Sequence, residues 1–282
     1  MIHCWVNGVA GSAVSALDRG LHYGDGLFET MAVIDRTPLL WARHMGRMLA
    51  GCNRLGIPIP DRAVLTEELD RALALADPRA IVKIIVTRGS GGRGYRDPDP
   101  IEPLRIITLN PWPDHPRTYW RDGVHVRICA TRLARQPVLA GIKHLNRLEQ
   151  VLARNEWQND DAVEGLMCDD QGRLIEGTMS NVFLRVRGRI ITPDLEGCGV
   201  AGTLRGELID QADQCGCSIT QSTVTLEDLM TAEEVLICNS VFGIWPVKSV
   251  AGRGFEAGEM AATLSGFAAR AGYDARFYTE VR

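Results

Sequence analysis

No stretch of this 282-residue chain approaches the ~20 consecutive apolar residues that a membrane-spanning helix needs, so no membrane partner is expected. Positive charge is not in excess. The 31 Lys and Arg face 35 Asp and Glu, a net charge of -4, which leaves no basic footprint for nucleic acid. The opening MIHCWVNGVAG has no basic segment followed by an apolar stretch, so no secretory signal is expected and the cytoplasm is the expected compartment. Eight cysteines (Cys4, Cys52, Cys129, Cys168, Cys198, Cys215, Cys217 and Cys238) show neither a disulfide framework nor zinc-ligand spacing. Reduced thiols and no metal site are the expectation. No internal repeat or low-complexity tract is visible, and the length suits one large or two modest domains.

What is present is an alternation of β-type runs with helical stretches. Strands are expected at 80–88, 104–110, 123–132, 164–170, 181–186, 189–193 and 233–240. Helices are expected near 42–55, 62–76, 146–158, 205–216 and 256–271. The proline-rich NPWPDHPRTYW, residues 110–120, reads as a linker. The expected division is a smaller N-terminal domain over 1–112, a linker over 113–122 and a larger domain over 123–282. The turn signal DDQG between two strands points to a hairpin-rich α+β fold rather than strict βαβ alternation.

Residues 89–94, GSGGRG, match the dinucleotide fingerprint and follow an expected strand. That fingerprint works only when a helix start follows to hold the pyrophosphate. The continuation YRDPDPIEP carries three prolines, which forbid the helix. A loop between two strands is the sound reading. Its Arg88, Arg93, Arg96 and Tyr95 are placed to meet an anionic substrate, because loops carry function disproportionately.

In LAGIKHLNRLEQVLARNEW, residues 139–157, Lys143 follows an apolar lead-in and precedes a helix. Asn146 and Glu149 have the spacing of a reciprocal capping pair, and Leu148, Val151 and Leu152 recur at helical spacing. A charged amine in such surroundings needs a route to water or a function. Downstream, Glu176 and Asn181 bracket a small polar turn in LIEGTMSNVFLRV. The glycine-rich GVAGTLRGELID approaches a helix expected to start near Thr203, where free amides suit a phosphate. Asn239 and Ser240 end a strand, and Arg47 lies in an expected helix.

Taken together, these segments resemble the fold-type IV pyridoxal-phosphate enzymes, the group of branched-chain aminotransferase, D-amino acid aminotransferase and 4-amino-4-deoxychorismate lyase. The resemblance spans essentially the whole chain. It runs through Glu176, Asn181, Phe183, Thr192, Gly202 and Arg205, with RGLHYGDGLFETM at 19–31 similar to the family's N-terminal segment. Thr203 stands where the family has an aliphatic residue, at a contact expected through the backbone. TRGSGGRGY and LAGIKHLNRLEQVLAR look like the lyase branch in particular.

The resemblance implies a two-domain fold-type IV architecture, a pyridoxal 5'-phosphate cofactor and a homodimer. It makes Lys143 the Schiff-base lysine and general base, and places Glu176 at the pyridine nitrogen. It gives the phosphate to Arg47, to the Thr203 and Leu204 amides, and to Asn239 and Ser240. It implies lyase chemistry giving 4-aminobenzoate and pyruvate, with a branched-chain or D-amino acid aminotransferase as the alternative. Arg88, Arg93 and Arg96 are candidates for the substrate carboxylates, with Tyr23 and His22 lining the pocket.

Overall fold

The computed structural model describes residues 2–158 and 162–273. The chain divides into two compact units, Met1–Pro113 with Ile142–Asn146, and Asp114–Gly141 with Arg147–Arg282. The first unit holds β1 (His3–Val6), β2 (Val9–Ala10), α1 (Arg19–Tyr23), β3 (Gly26–Ile34), β4 (Thr37–Pro38), α2 (Trp41–Leu55), α3 (Arg62–Leu73), β5 (Arg79–Thr87) and β6 (Leu104–Pro111). The six strands form one antiparallel sheet in the order β2-β1-β6-β5-β3-β4.

Side chains alternate across this sheet. Leu27, Met31 and Val33 of β3, with Val82, Ile84 and Val86 of β5 and Ile107 and Leu109 of β6, are buried. Met45, Met48 and Cys52 of α2 and Leu65, Leu69 and Ala72 of α3 are buried at helical spacing. The opposite face is only half buried, and it carries Phe28 and Thr30, Lys83 and Ile85, and Ile106 and Thr108. There Thr30, Lys83 and Thr108 stand side by side across three strands. Residues 142–146 run along β3, where Phe28 N–H donates to the Lys143 carbonyl at 2.9 Å and Leu145 N–H to the Gly26 carbonyl at 3.0 Å.

The second unit holds α4 (Thr118–Arg121), β7 (Val124–Ile128), α5 (Leu148–Arg154), β8 (Glu164–Cys168), β9 (Arg173–Gly177), β10 (Asn181–Val186), β11 (Arg189–Pro193), α6 (Thr203–Gln214), β12 (Ile219–Ser222), β13 (Val224–Thr225), α7 (Leu226–Thr231), β14 (Glu234–Asn239), β15 (Gly243–Val250), β16 (Arg253–Gly254) and α8 (Glu259–Arg270). Its mixed sheet runs β12-β11-β10-β14-β15-β7-β8-β9-β13, with β16 on β15. The β11–β12, β15–β7 and β7–β8 pairs are parallel. Its core includes Trp120, Leu166, Leu174, Val182, Leu184, Ile237, Phe242 and Trp245.

The helix after Lys143 differs from the expected 146–158. It starts at Leu148, its N-cap is Arg147, and no side chain caps it. The capping pair does not form. Asn146 donates to the Gly24 carbonyl at 3.3 Å, and Glu149 accepts the Ala134 N–H at 2.8 Å. Nor do the apolar residues of this helix face a core. Leu148, Val151 and Leu152 are 74%, 51% and 60% exposed. Helical spacing establishes that apolar residues share a face but leaves open what covers it.

Candidate active site

In the first unit the Lys143 amine lies 4.5 Å from the centre of the Phe28 ring. The strand-type hydrogen bonds of 142–146 fix the backbone from which this side chain leaves. On the other face of β3, Glu29 is buried inside the sheet–helix core. Two residues of α2, His44 and Arg47, sit three apart on one helical face and converge on it. Arg47 donates through Nε to Glu29 Oε1 at 2.8 Å and through Nη2 to Oε2, while His44 Nδ1 lies 2.5 Å from Oε2. This fork on a carboxylate is the geometry that suits arginine.

Burial alone would raise the Glu29 carboxyl. The charge and hydrogen bonds of Arg47 outweigh it and hold Glu29 below the usual carboxylate range. Burial is the main cause that pushes His44 below its ordinary value, and the positive charges of Arg47 and Lys143 add to it. Both shifts have the same consequence. A depressed carboxylate contributes stability that is present above its unfolded pKa and is lost as pH falls through its folded one. A depressed histidine penalises the folded state once the unfolded chain begins to bind protons, below about pH 6.5. Melting temperature is therefore expected to fall from about pH 6.5 downward and most steeply in the carboxylate range. A melting curve unchanged between pH 7 and pH 4 would contradict this.

The loop at 88–103 joins β5 to β6, as expected. Arg88 is not available to a substrate. It is buried and donates to Asp25 at 2.8 Å and to the carbonyls of Leu55 at 2.6 Å and Gly56 at 2.9 Å. Arg19 shares Asp25 at 2.9 Å and also donates to the carbonyls of Gly94, Tyr95 and Arg96. These two arginines anchor the loop, and Arg93 and Arg96 stay exposed. Tyr23 stacks at a tilt on Tyr95, ring centres 5.4 Å apart, with His22 edge-on to Tyr23.

In the second unit Glu176 is buried on β9, and its Oε2 accepts the Val200 N–H at 2.8 Å. Asn181 donates to the Val200 carbonyl at 2.9 Å. Gly141, two residues before Lys143 in the chain, exchanges hydrogen bonds with Gly199 and Ala201 of the same loop. The glycines here are dictated by close approach. A Cβ at Gly199 would come within 3.4 Å of Glu176 Oε2, and one at Gly202 within 2.0 Å of Asn181 Oδ1.

Beyond Gly202 begins the 12-residue α6, whose N-terminus no side chain caps, and Thr203 and Leu204 are buried there. Arg205 reaches back to Thr192 at 3.2 Å and to the Pro193 carbonyl at 2.8 Å, fixing the helix start against β11. Asn239 closes the turn after β14. Its Oδ1 accepts the Val241 and Phe242 N–H groups at 2.9 Å, and its Nδ2 donates to the Met179 carbonyl at 3.1 Å. Ser240 follows it, half exposed.

These residues fit pyridoxal phosphate. The buried Glu176 carboxylate suits a protonated ring nitrogen. A helix start without a side-chain cap, reached through a glycine-rich loop, suits its phosphate. Gly202→Ala is expected to melt lower, with a loss of about 1–3 kcal/mol from overpacking, and to retain cofactor less well. Asn181 would have to abandon Val200 to make room. Wild-type melting and cofactor occupancy in that variant would refute the close-approach argument.

Sequence reasoning did not find Glu29 and His44. The signal was there in His44 and Arg47 at i and i+3 of an amphipathic helix, both polar on its buried side.

The family description for amino-transferase class IV matches residues 26–250. An aminodeoxychorismate lyase of Vibrio harveyi is 38% identical over 248 residues, covering 87% of this chain and 90% of that protein. A putative branched-chain-amino-acid aminotransferase of Methanocaldococcus jannaschii is 29% identical over 243 residues, 85% of this chain and 83% of that protein. Among solved structures, the 4-amino-4-deoxychorismate lyase of Pseudomonas aeruginosa superposes with a TM-score of 0.89 at 47% identity, covering 93% of this chain and 97% of that one. With its α+β architecture and these matches, the chain belongs to the aminotransferase class IV family and has the fold-type IV fold.

Proposed function

We propose that the chain is a pyridoxal-phosphate-dependent lyase that converts 4-amino-4-deoxychorismate to 4-aminobenzoate and pyruvate. The observation that carries this reading is Lys143, a primary amine held 4.5 Å from the centre of the Phe28 ring on a half-buried sheet face, the group that condenses with an aldehyde. The likeness to lyases of two organisms supports lyase over aminotransferase chemistry.

Bound pyridoxal phosphate supplies an electron sink for bond breaking beside the substrate amine. Lys143 would hold the cofactor, and its amine would take the proton from the amine-bearing carbon of the substrate. The electron pair left behind expels the enolpyruvyl oxygen, and the ring becomes aromatic. The enol gains a proton to become pyruvate, so no further reactant is needed. Glu176 would keep a proton on the pyridine nitrogen. Arg47, the Thr203 and Leu204 amides, Asn239 and Ser240 would hold the phosphate. Arg93 and Arg96, with Tyr23, meet the substrate carboxylates.

The deciding assay supplies 4-amino-4-deoxychorismate and measures 4-aminobenzoate and pyruvate, expected in equal amounts. A parallel reaction contains branched-chain or D-amino acids with 2-oxoglutarate. Transamination without 4-aminobenzoate would overturn the reading.

A cytoplasmic homodimer belongs to the same proposal. All eight cysteines are unpaired, as a reducing compartment allows, and no helix among the described residues is long and apolar enough to cross a membrane. The exposed Leu148, Val151 and Leu152 of α5 suit burial against a second copy. Light scattering is expected to give twice the chain mass, and Leu148→Glu with Leu152→Glu to give the single mass. A monomeric wild type would remove the dimer from the proposal.

A further inference from the structure

The chain contains 28 arginines and only three lysines, Lys83, Lys143 and Lys248. Two of the three meet at one aromatic ring. The Lys83 amine lies 4.8 Å from the centre of the Phe28 ring and the Lys143 amine 4.5 Å from it. The sheet explains the arrangement. Lys83 is paired with Thr30, two residues from Phe28 on the same face of β3, while Lys143 runs along the other edge of that strand. The Phe28 side chain therefore stands between them, and the two amines can be no farther apart than the sum of those two distances.

Lys83 is not an ordinary surface lysine. It is half buried, and among the described residues its amine makes no hydrogen bond or ion pair; the contact of that amine is with the ring. Burial lowers its pKa from the usual lysine value, so desolvation already acts on this amine. On α2 and β3, Glu29 and Arg47 cancel one another around a His44 that is held toward its neutral form. On β6 and β1 the row continues through Thr108 to Cys4, whose thiol burial pushes up, toward its uncharged form. Across the Phe28 ring from Lys143 stands the Lys83 amine.

We propose that Lys83 is a positioning residue for the charge state of Lys143: its ammonium, on the far side of Phe28, disfavours a proton on the Lys143 nitrogen. This rests on the reading of Lys143 as the reacting amine and adds how that nitrogen is kept proton-poor. Two like charges at this separation, in surroundings drier than water, repel enough to matter. A neighbouring cation is one of the recognised ways to activate a lysine nucleophile. Lysine at this position places a positive charge beside the ring, a charge that arginine would keep.

The test titrates Lys143 itself in the full chain. In the holoenzyme, the visible absorbance of the bound cofactor against pH reports the proton on the Lys143 nitrogen. In cofactor-stripped protein, reductive methylation with ¹³C-formaldehyde and NMR reports the same nitrogen directly, and three lysines make the spectrum assignable. Lys83→Met is expected to move both midpoints upward by about one pH unit, and Lys83→Arg to stay with wild type. Midpoints unmoved in Lys83→Met, or moved as far in Lys83→Arg, would overturn the proposal. If Lys143 does not carry the cofactor, the absorbance arm is lost while the NMR arm still reads the coupling, so the two failures are distinguishable.

Discussion

Lys143→Ala is expected to purify without the visible absorbance of bound cofactor and to lose lyase turnover by roughly 10³-fold or more, because general-base catalysis alone contributes about 10²–10⁴ and the covalent anchor is removed with it. The fold should survive. The segment around Lys143 is held by its backbone, through Phe28 N–H to the Lys143 carbonyl and Leu145 N–H to the Gly26 carbonyl. The side chain leaves that segment against a ring on the half-buried face, so its loss opens no core cavity. Melting temperature is thus expected to stay near wild type while chemistry disappears. A Lys143→Ala protein that keeps the same absorbance band would remove Lys143 from the centre of the mechanism. A variant that loses activity only because it unfolds would show in the melt.

The fold was legible where side chains on both faces of a strand agreed with its burial. The β-branched runs of β5, β6, β10 and β11 announce themselves. Strand β3 does not, because Glu29 occupies a core-facing position and breaks the alternation, its charge made tolerable by partners on α2. Strand β15 is hidden for a different reason. Pro246 reads as a breaker, yet it sits opposite Leu236 within the sheet. Lys143 and Glu176, to which the proposal gives the chemistry, each stand in a local frame that the sequence itself spells out. Arg88 was misread because nothing local shows that Asp25 and the end of α2 claim its guanidinium. Contacts between distant segments carry that information, and one-dimensional periodicity does not.

Glu176→Gln separates charge from shape. The amide keeps an oxygen for the Val200 N–H, which Glu176 accepts at 2.8 Å, so the loop through Gly199 and Ala201 should stay in place. What disappears is the negative charge that, in the proposed role, would hold a proton on the pyridine nitrogen. A neutral ring draws electrons poorly, so the cost should fall on the step that breaks the bond beside the amine rather than on binding. Turnover is expected to drop roughly 10²–10³-fold, the scale of losing one preorganised electrostatic partner, with KM little changed and cofactor retained. Glu176→Ala should behave differently. It also orphans a buried amide, which costs about 1–3 kcal/mol, and so should loosen the loop and release cofactor. If kcat in Glu176→Gln equals wild type, the carboxylate is only a brace for Val200, and the proton on the ring nitrogen must be held by another group.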